Sequence, residues 1–377
     1  FSYFNSFFDD LEIVQAYLKY TKDASFLKEV HSKFRTERDM VMCLVEANGL
    51  ALEFVAPNLA QDELVVRKAV SNNGMALKFA NSFQNDTGVV LMAVRQNGDA
   101  LEFASRHLQD DEVIVKGAVK QKGSSLRYAS ERLRNNIEIL LSEVYESENS
   151  NKSSCALEHA TDALRSSRPD ILKSLKINGH GLKFLGAMRN EESIVRAAVS
   201  SCGLALEHAG KILQGQKDVV AIAVRNDGEA LQYADDNMKD NFDIVVNAVE
   251  QNGLALEYAS VRLKNDPRIV RAALKQNGFS LRFASETLKK QEEFSMAAVR
   301  QNGMALKYVR HDKKTREVVL AAVKQNGWAL KYASFALKDD PEIVIAAILE
   351  NGIALKYASE RLRKNPGIVV LAVRENG

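Results

Sequence analysis

One phrase of sequence is written again and again along this chain. "QNGMALKYV", "QNGWALKYAS" and "ENGIALKYAS" begin at residues 301, 325 and 350, and the same signature reaches back to "ANGLALEFV" at residue 47. The anchor glycines, among them Gly253, Gly278, Gly303, Gly327 and Gly352, stand 24 or 25 residues apart, except for one stretch of 31 residues between Gly123 and Ser154, which takes the glycine's place. A unit this short cannot bury an apolar face alone. A chain built from it must stack neighbour on neighbour.

Three residues after each anchor comes a leucine, as at Leu256, Leu281, Leu306, Leu330 and Leu355. Two residues further on stands an aromatic ring, from Phe54 to Tyr357, with His159 and His208 in two copies, and alanine usually follows. Apolar positions three to four apart mark one helix face, so the second half of each unit is predicted to be a short amphipathic helix. In the first half, "DDPEIVIAAILENG" puts Ile343, Val344, Ala347 and Ile348 on one stripe. Asp340 before Pro341 reads as a helix start, because aspartate caps free amides and proline suits the first helical position. Asn-Gly reads as a helix stop, with glycine entering the left-handed conformation after the last turn.

The expected fold is all-α: an α-solenoid, or superhelix, of about thirteen two-helix repeats, each helix about 11 residues and roughly 16 Å long. Residues 1–30 lack the signature and are expected to form an N-terminal cap or degenerate repeat. Residues 31–377 read as a single repeat domain with a loop insertion around 135–153, in the polar run "ESENSNKSS". The chain starts at Phe1 and stops on the Asn-Gly that elsewhere opens a unit, so both ends read as cuts and the C-terminus as truncated.

The motif Ile-Val-x-x-Ala-Val-x-x-Asn-Gly-x-Ala-Leu-x-Tyr-Ala-Ser resembles that of a repeat family of bacteria and protists known only as a domain of unknown function, whose unit is about twice this period. The resemblance runs from about residue 38 to 377. It implies tandem helical hairpins and brings no catalytic residues or cofactor. Copies around 124–200 depart most: Lys122, Lys152 and Ser154 lie at or near the Asn-Gly site and Leu185 replaces the alanine, so regular stacking is not assumed there.

Fifty-one basic residues face 49 acidic ones, and a net charge of +2 supplies no global field for nucleic acid or membrane. Three widely spaced cysteines, Cys43, Cys155 and Cys202, suit a reducing, intracellular compartment, either cytoplasm or an organelle interior. No apolar run approaches the roughly 20 residues of a membrane-spanning helix, so the protein is not expected to be integral to a membrane. Cys155, His159, His180, Cys202 and His208 suggest a metal site, but His159 and His208 occupy equivalent positions two repeats apart, roughly 20 Å, which is too far for one ion. No nucleophile elbow, phosphate loop or metal-binding helix motif occurs. The chain is read as no enzyme, with no cofactor.

Columns free of packing duty are where a stacked repeat can meet a partner. Directly before the ring, the residues are mixed up to Glu257 and then all basic: Arg282, Lys307, Lys331 and Lys356. From Phe279 onward 17 Lys and Arg face 11 Asp and Glu. Directly after the anchor stand Phe279, Met304 and Trp328, the only tryptophan, and tryptophan is enriched at interface hot spots. The loop "RHDKKTR", with Lys313, Lys314 and Arg316, is a further basic feature. The bland alternatives are a solvated face with drifting sign and a half-buried helix start. The functional expectation is a scaffold or protein-interaction subunit docking within a larger assembly. A repeat-type RNA or single-strand binder is the alternative, weakened because the basic column is short and the rings are assigned to packing. A bacterial effector or regulatory repeat domain is the third reading.

Overall fold

The ten-residue helix opening each repeat forms because its apolar residues fall at i, i+1, i+4 and i+5. In Pro341–Glu350 these are Ile343, Val344, Ala347 and Ile348, all fully buried, and the same four places are buried in Glu63–Asn72 and Phe242–Gln251. The computed structural model describes residues 10–21, 24–28, 32–143 and 155–376. Every regular element among them is helical. The starts are capped as the sequence indicates: Asp340 Oδ1 accepts from the amide of Glu342 at 2.9 Å, Asp266 Oδ1 from Arg268 at 2.9 Å, and Asn365 Oδ1 from Gly367 at 3.0 Å.

The second half of the repeat differs from the single 11-residue helix expected. It is a six-residue 3₁₀ helix, such as Gly278–Phe283, then an extended alanine, then a separate turn such as Glu286–Lys289. Ala284 has φ −62° and ψ 154°, and Ser285 caps the turn by accepting from the Leu288 amide at 3.3 Å. The serine that follows the alanine therefore breaks the helix. The Ser285 amide also donates to Lys264 O of the preceding repeat at 2.9 Å, as Ser260 does to Lys239 O and Ser359 to Lys338 O.

The anchor glycine also has a different reason. Among the described residues the only glycine at positive φ is Gly186. Asn252, at φ −139° and ψ 108°, ends one helix and starts the next, its Oδ1 accepting from the Leu254 amide at 3.0 Å. Gly253 is glycine because the next repeat lies against it: a Cβ there would stand 2.5 Å from Ala273 O and 2.8 Å from Gln276 Oε1. The Gly253 amide donates to Gln276 Oε1 at 2.6 Å, while Gln276 Nε2 donates to Gln251 O at 3.5 Å. The pattern recurs at Gly98 with Gln121, Gly228 with Gln251 and Gly278 with Gln301, and with asparagine at Gly49 with Asn72 and Gly203 with Asn226. Each Gln-Asn-Gly is thus a clamp between successive repeats.

Contacts divide the chain into two compact units, one up to Leu185 and one from Gly186. In the first, the helix Leu11–Thr21 buries Val14 and Leu18 and packs on Arg38–Ala47. From there each ten-residue helix packs on its successor through Glu63–Asn72, Thr87–Gln96 and Glu112–Gln121. The order then changes: the next helix, Ile137–Leu140, has four residues, and the insertion expected around 135–153 falls from 144 onward outside the described residues, as does Ser154. Glu143 lies buried where the following repeat would supply its clamp. Its carboxylate accepts from the Ala156 amide at 3.2 Å and from Asn178 Nδ2 at 3.2 Å, and a Cβ on Gly123 would strike it. Two neutral donors do not compensate a buried charge, so burial pushes the Glu143 carboxyl up to about 7.

In the second unit each repeat-opening helix from Glu192–Ser201 to Pro366–Asn376 packs on the next. The column leucines Leu256, Leu281, Leu306 and Leu330 are fully buried, whereas Leu355 is half-buried.

Candidate interaction surface

The clamps and leucines face inward, and the last residues of each 3₁₀ helix do not. The column rings, from Phe54 to Tyr357, are half-buried rather than enclosed, and the residue before each is exposed in all but Gln232. In a helix with three residues per turn, the ring lies one turn beyond the buried alanine and reaches the edge of the stack, where the chain turns away at the extended alanine. The rings are therefore not wholly absorbed by packing.

The second unit carries this edge through a change of sign. Near its start Glu207, Glu229 and Glu257 surround the rings: the Tyr233 phenol is pushed up by burial and then by Glu207, and that of Tyr258 by burial, Glu257 and Glu229. From Phe283 onward the partners are cations. Arg282 lies 4.5 Å from the Phe283 ring centre, Lys307 5.5 Å from Tyr308, Lys331 5.8 Å from Tyr332 and Lys356 5.0 Å from Tyr357. Arg282 also reaches Tyr308 at 5.8 Å, and Lys356 reaches Trp328 at 4.5 Å. Each such exposed contact is worth about 0.5–1 kcal/mol and holds the cation over its ring. None of the four pairs with a carboxylate among the described residues.

The residues after the anchors join this edge. Phe279 packs edge-on against Tyr308 of the next repeat, with centroids 5.9 Å apart, and Trp328 packs likewise against Tyr357 at 6.0 Å. Phe279, Met304 and Trp328 are half-buried and Ile353 is exposed. The structure thus brings Arg282, Lys307, Lys331 and Lys356 to the same edge as Phe279 and Trp328.

The basic loop is another matter. Arg310 pairs with Glu286 and Asp312, each at 3.0 Å, and Arg316 pairs with Asp340 at 2.8 Å and with Glu342. Lys314 Nζ donates to Tyr332 O at 2.8 Å, and its pKa is lowered by burial and then by Lys338. Lys313 ends the short helix beside Asp312. Arg310, Lys314 and Arg316 tie one repeat to its neighbours, so the loop is a structural junction. Sequence reasoning missed the partners across repeats because those acids lie 24 to 26 residues away, as Asp340 does from Arg316.

Among the described residues, no three His, Cys, Asp or Glu side chains converge as a metal site, and no helix is long and apolar enough to cross a membrane. A family described as "Domain of unknown function (DUF4116)" matches residues 62–109, 114–165 and then, in overlapping steps, 216–264, 241–289, 266–313, 291–338, 315–363 and 340–377. From residue 216 onward successive matches advance by about one repeat while each but the last spans about two, so the family's unit is a pair of these repeats. A comparison with curated proteins gives no match. The stretch 166–215, which the family does not match, keeps the repeat's elements: helices Arg168–Ile177 and Glu192–Ser201, each followed by a six-residue 3₁₀ helix.

Proposed function

The chain is a member of this family of tandem helical repeats of unknown function, and on that premise we propose that it is a non-catalytic α-solenoid of about thirteen repeats that scaffolds or docks a protein partner inside the cell. One observation carries the reading: four consecutive repeats present an exposed cation, free of carboxylate partners, over a half-buried ring on one edge. Several arginines outside the column are tied down between repeats, as in Arg132 to Asp110, Arg262 to Asp240 and Arg361 to Asp339. Desolvated aromatics beside cations are the usual anchors of protein interfaces. The chemistry of the edge is recognition without a convergent site for bond making. Cys155 and Cys202 are buried and in no disulfide, which accords with a reducing compartment.

Single-stranded nucleic acid is the second reading, favoured by the partial exposure of the rings, on which bases stack. Native capture from the source cell distinguishes the two. The tagged chain is compared with its Lys307→Glu, Lys331→Glu variant, before and after nuclease treatment. A partner set that survives nuclease and is lost with the variant supports the protein reading. Partners that vanish with nuclease transfer the surface to nucleic acid.

A further inference from the structure

The edge has a pitch, and the pitch selects the shape of what it binds. Arg282 lies 4.5 Å from the Phe283 ring and 5.8 Å from the Tyr308 ring, so those ring centres are at most about 10 Å apart. The same step recurs wherever one ten-residue helix packs on the next, since packed helices lie about 8–10 Å apart. The four cations therefore stand in a row with neighbours about 8–10 Å apart.

A polyproline II chain advances about 3.1 Å per residue with three residues per turn, or about 9.3 Å per turn. A β-strand covers about 10 Å in three residues. In the polyproline II form, side chains at i, i+3, i+6 and i+9 share one face and meet successive rungs, whereas in a strand i and i+3 point to opposite faces. Acidic segments repel themselves into extended conformations without folding, so the spacing is available before binding.

We infer that Arg282, Lys307, Lys331 and Lys356 receive one extended acidic polypeptide segment with a carboxylate at every third residue, its backbone lying along the rings of Phe279, Tyr308, Trp328 and Tyr357. This rests on the protein-docking reading above and supplies the partner's chemistry. The row also has a length. Glu257 occupies the position one repeat before Arg282, and Glu207 and Glu229 face the rings beyond it. A long polyanion running on along the edge meets these carboxylates, whereas a segment of about ten residues stops short of them.

Trp328, the only tryptophan, sits on this edge under Lys356 and reports occupancy through its fluorescence. The full chain is titrated with two ten-residue peptides carrying four glutamates each among serines and glycines, at positions 1, 4, 7 and 10 or at 1, 2, 9 and 10, and with oligo(dT). The expected result is at least fivefold tighter binding of the evenly spaced peptide, reduced at least tenfold by Lys307→Glu with Lys331→Glu. Equal affinity for the two peptides, with both lost in the variant, overturns the spacing inference and leaves acidic docking standing. If neither peptide binds while oligo(dT) does, both the inference and the protein reading fail.

Discussion

Replacing Gly253 by alanine tests why the anchor is glycine. The added Cβ would stand 2.5 Å from Ala273 O, 2.8 Å from Gln276 Oε1 and 2.9 Å from Ser280 Oγ, while ordinary contact begins at 3.4 Å. Separation by nearly 1 Å is needed, and the obstructing atom is a carbonyl that already accepts from the Asn277 amide at 2.8 Å. Overpacking of this kind costs about 1–3 kcal/mol. The same movement stretches the bond of 2.6 Å from the buried Gly253 amide to Gln276, and leaving that donor unpaired costs about 1–3 kcal/mol more. The lower entropy of the unfolded alanine chain returns about 0.4–1 kcal/mol. A net loss of about 1–5 kcal/mol is expected, read as the urea midpoint by circular dichroism. Gly253→Asn discriminates further, because asparagine tolerates the left-handed conformation but carries the same Cβ. Gly117→Ala is the control: it lies mid-helix with only Leu91 and Val94 side chains at 3.6 Å, so it should stabilise by about 0.5–1 kcal/mol. If Gly253→Asn unfolds within about 1 kcal/mol of the parent, glycine is there for its backbone freedom and the close-approach argument fails.

Other consequences are open to the same methods. Gln276→Ala should cost about 1–3 kcal/mol and speed hydrogen exchange of the Gly253 amide, and unchanged protection would mean the clamp is not formed. Leu281→Ala should cost about 2–5 kcal/mol, with the half-buried Leu355→Ala costing less, and equal losses would contradict the packing described. Glu143, raised from an ordinary value of 4.5 to about 7, favours its protonated form in the folded state. Its contribution is fully present below about pH 4.5 and fades as pH rises to about 7, a change of roughly 3 kcal/mol. Glu143→Gln should flatten stability across that range and stabilise the chain at pH 8, and a slope unchanged in the variant would rule out this origin.

The repeat period, the leucine column, the helix stripe and the aspartate caps could all be read from residues, because each rests on local spacing. The 3₁₀ helix could not be told from an α-helix, since six residues such as "GFSLRF" satisfy a spacing of three as well as one of 3.6. A signal for the break was present, in a serine three residues before a leucine, as in "SETL" and "SERL", which is the pattern of an N-cap. The clamp was hidden for another reason. Gln276 looks like a solvated residue at a helix end, and its partner Gly253 is 23 residues away. On the candidate edge, the sequence put Arg282, Lys307, Lys331 and Lys356 in one column, and the structure adds that each overlies a ring. What the column could not show was that Lys314 and Arg316 belong to different bonds.

A lysine footprint of the captured complex tests the central claim most directly. Acetylation is followed by mass spectrometry in the free chain and in the partner-bound chain after nuclease treatment. The account predicts protection of Lys307, Lys331 and Lys356, while Lys275 and Lys324, exposed on the ten-residue helices, stay reactive. Protection of Lys275 and Lys324 with the other three still reactive would place the partner on the helices and contradict the account.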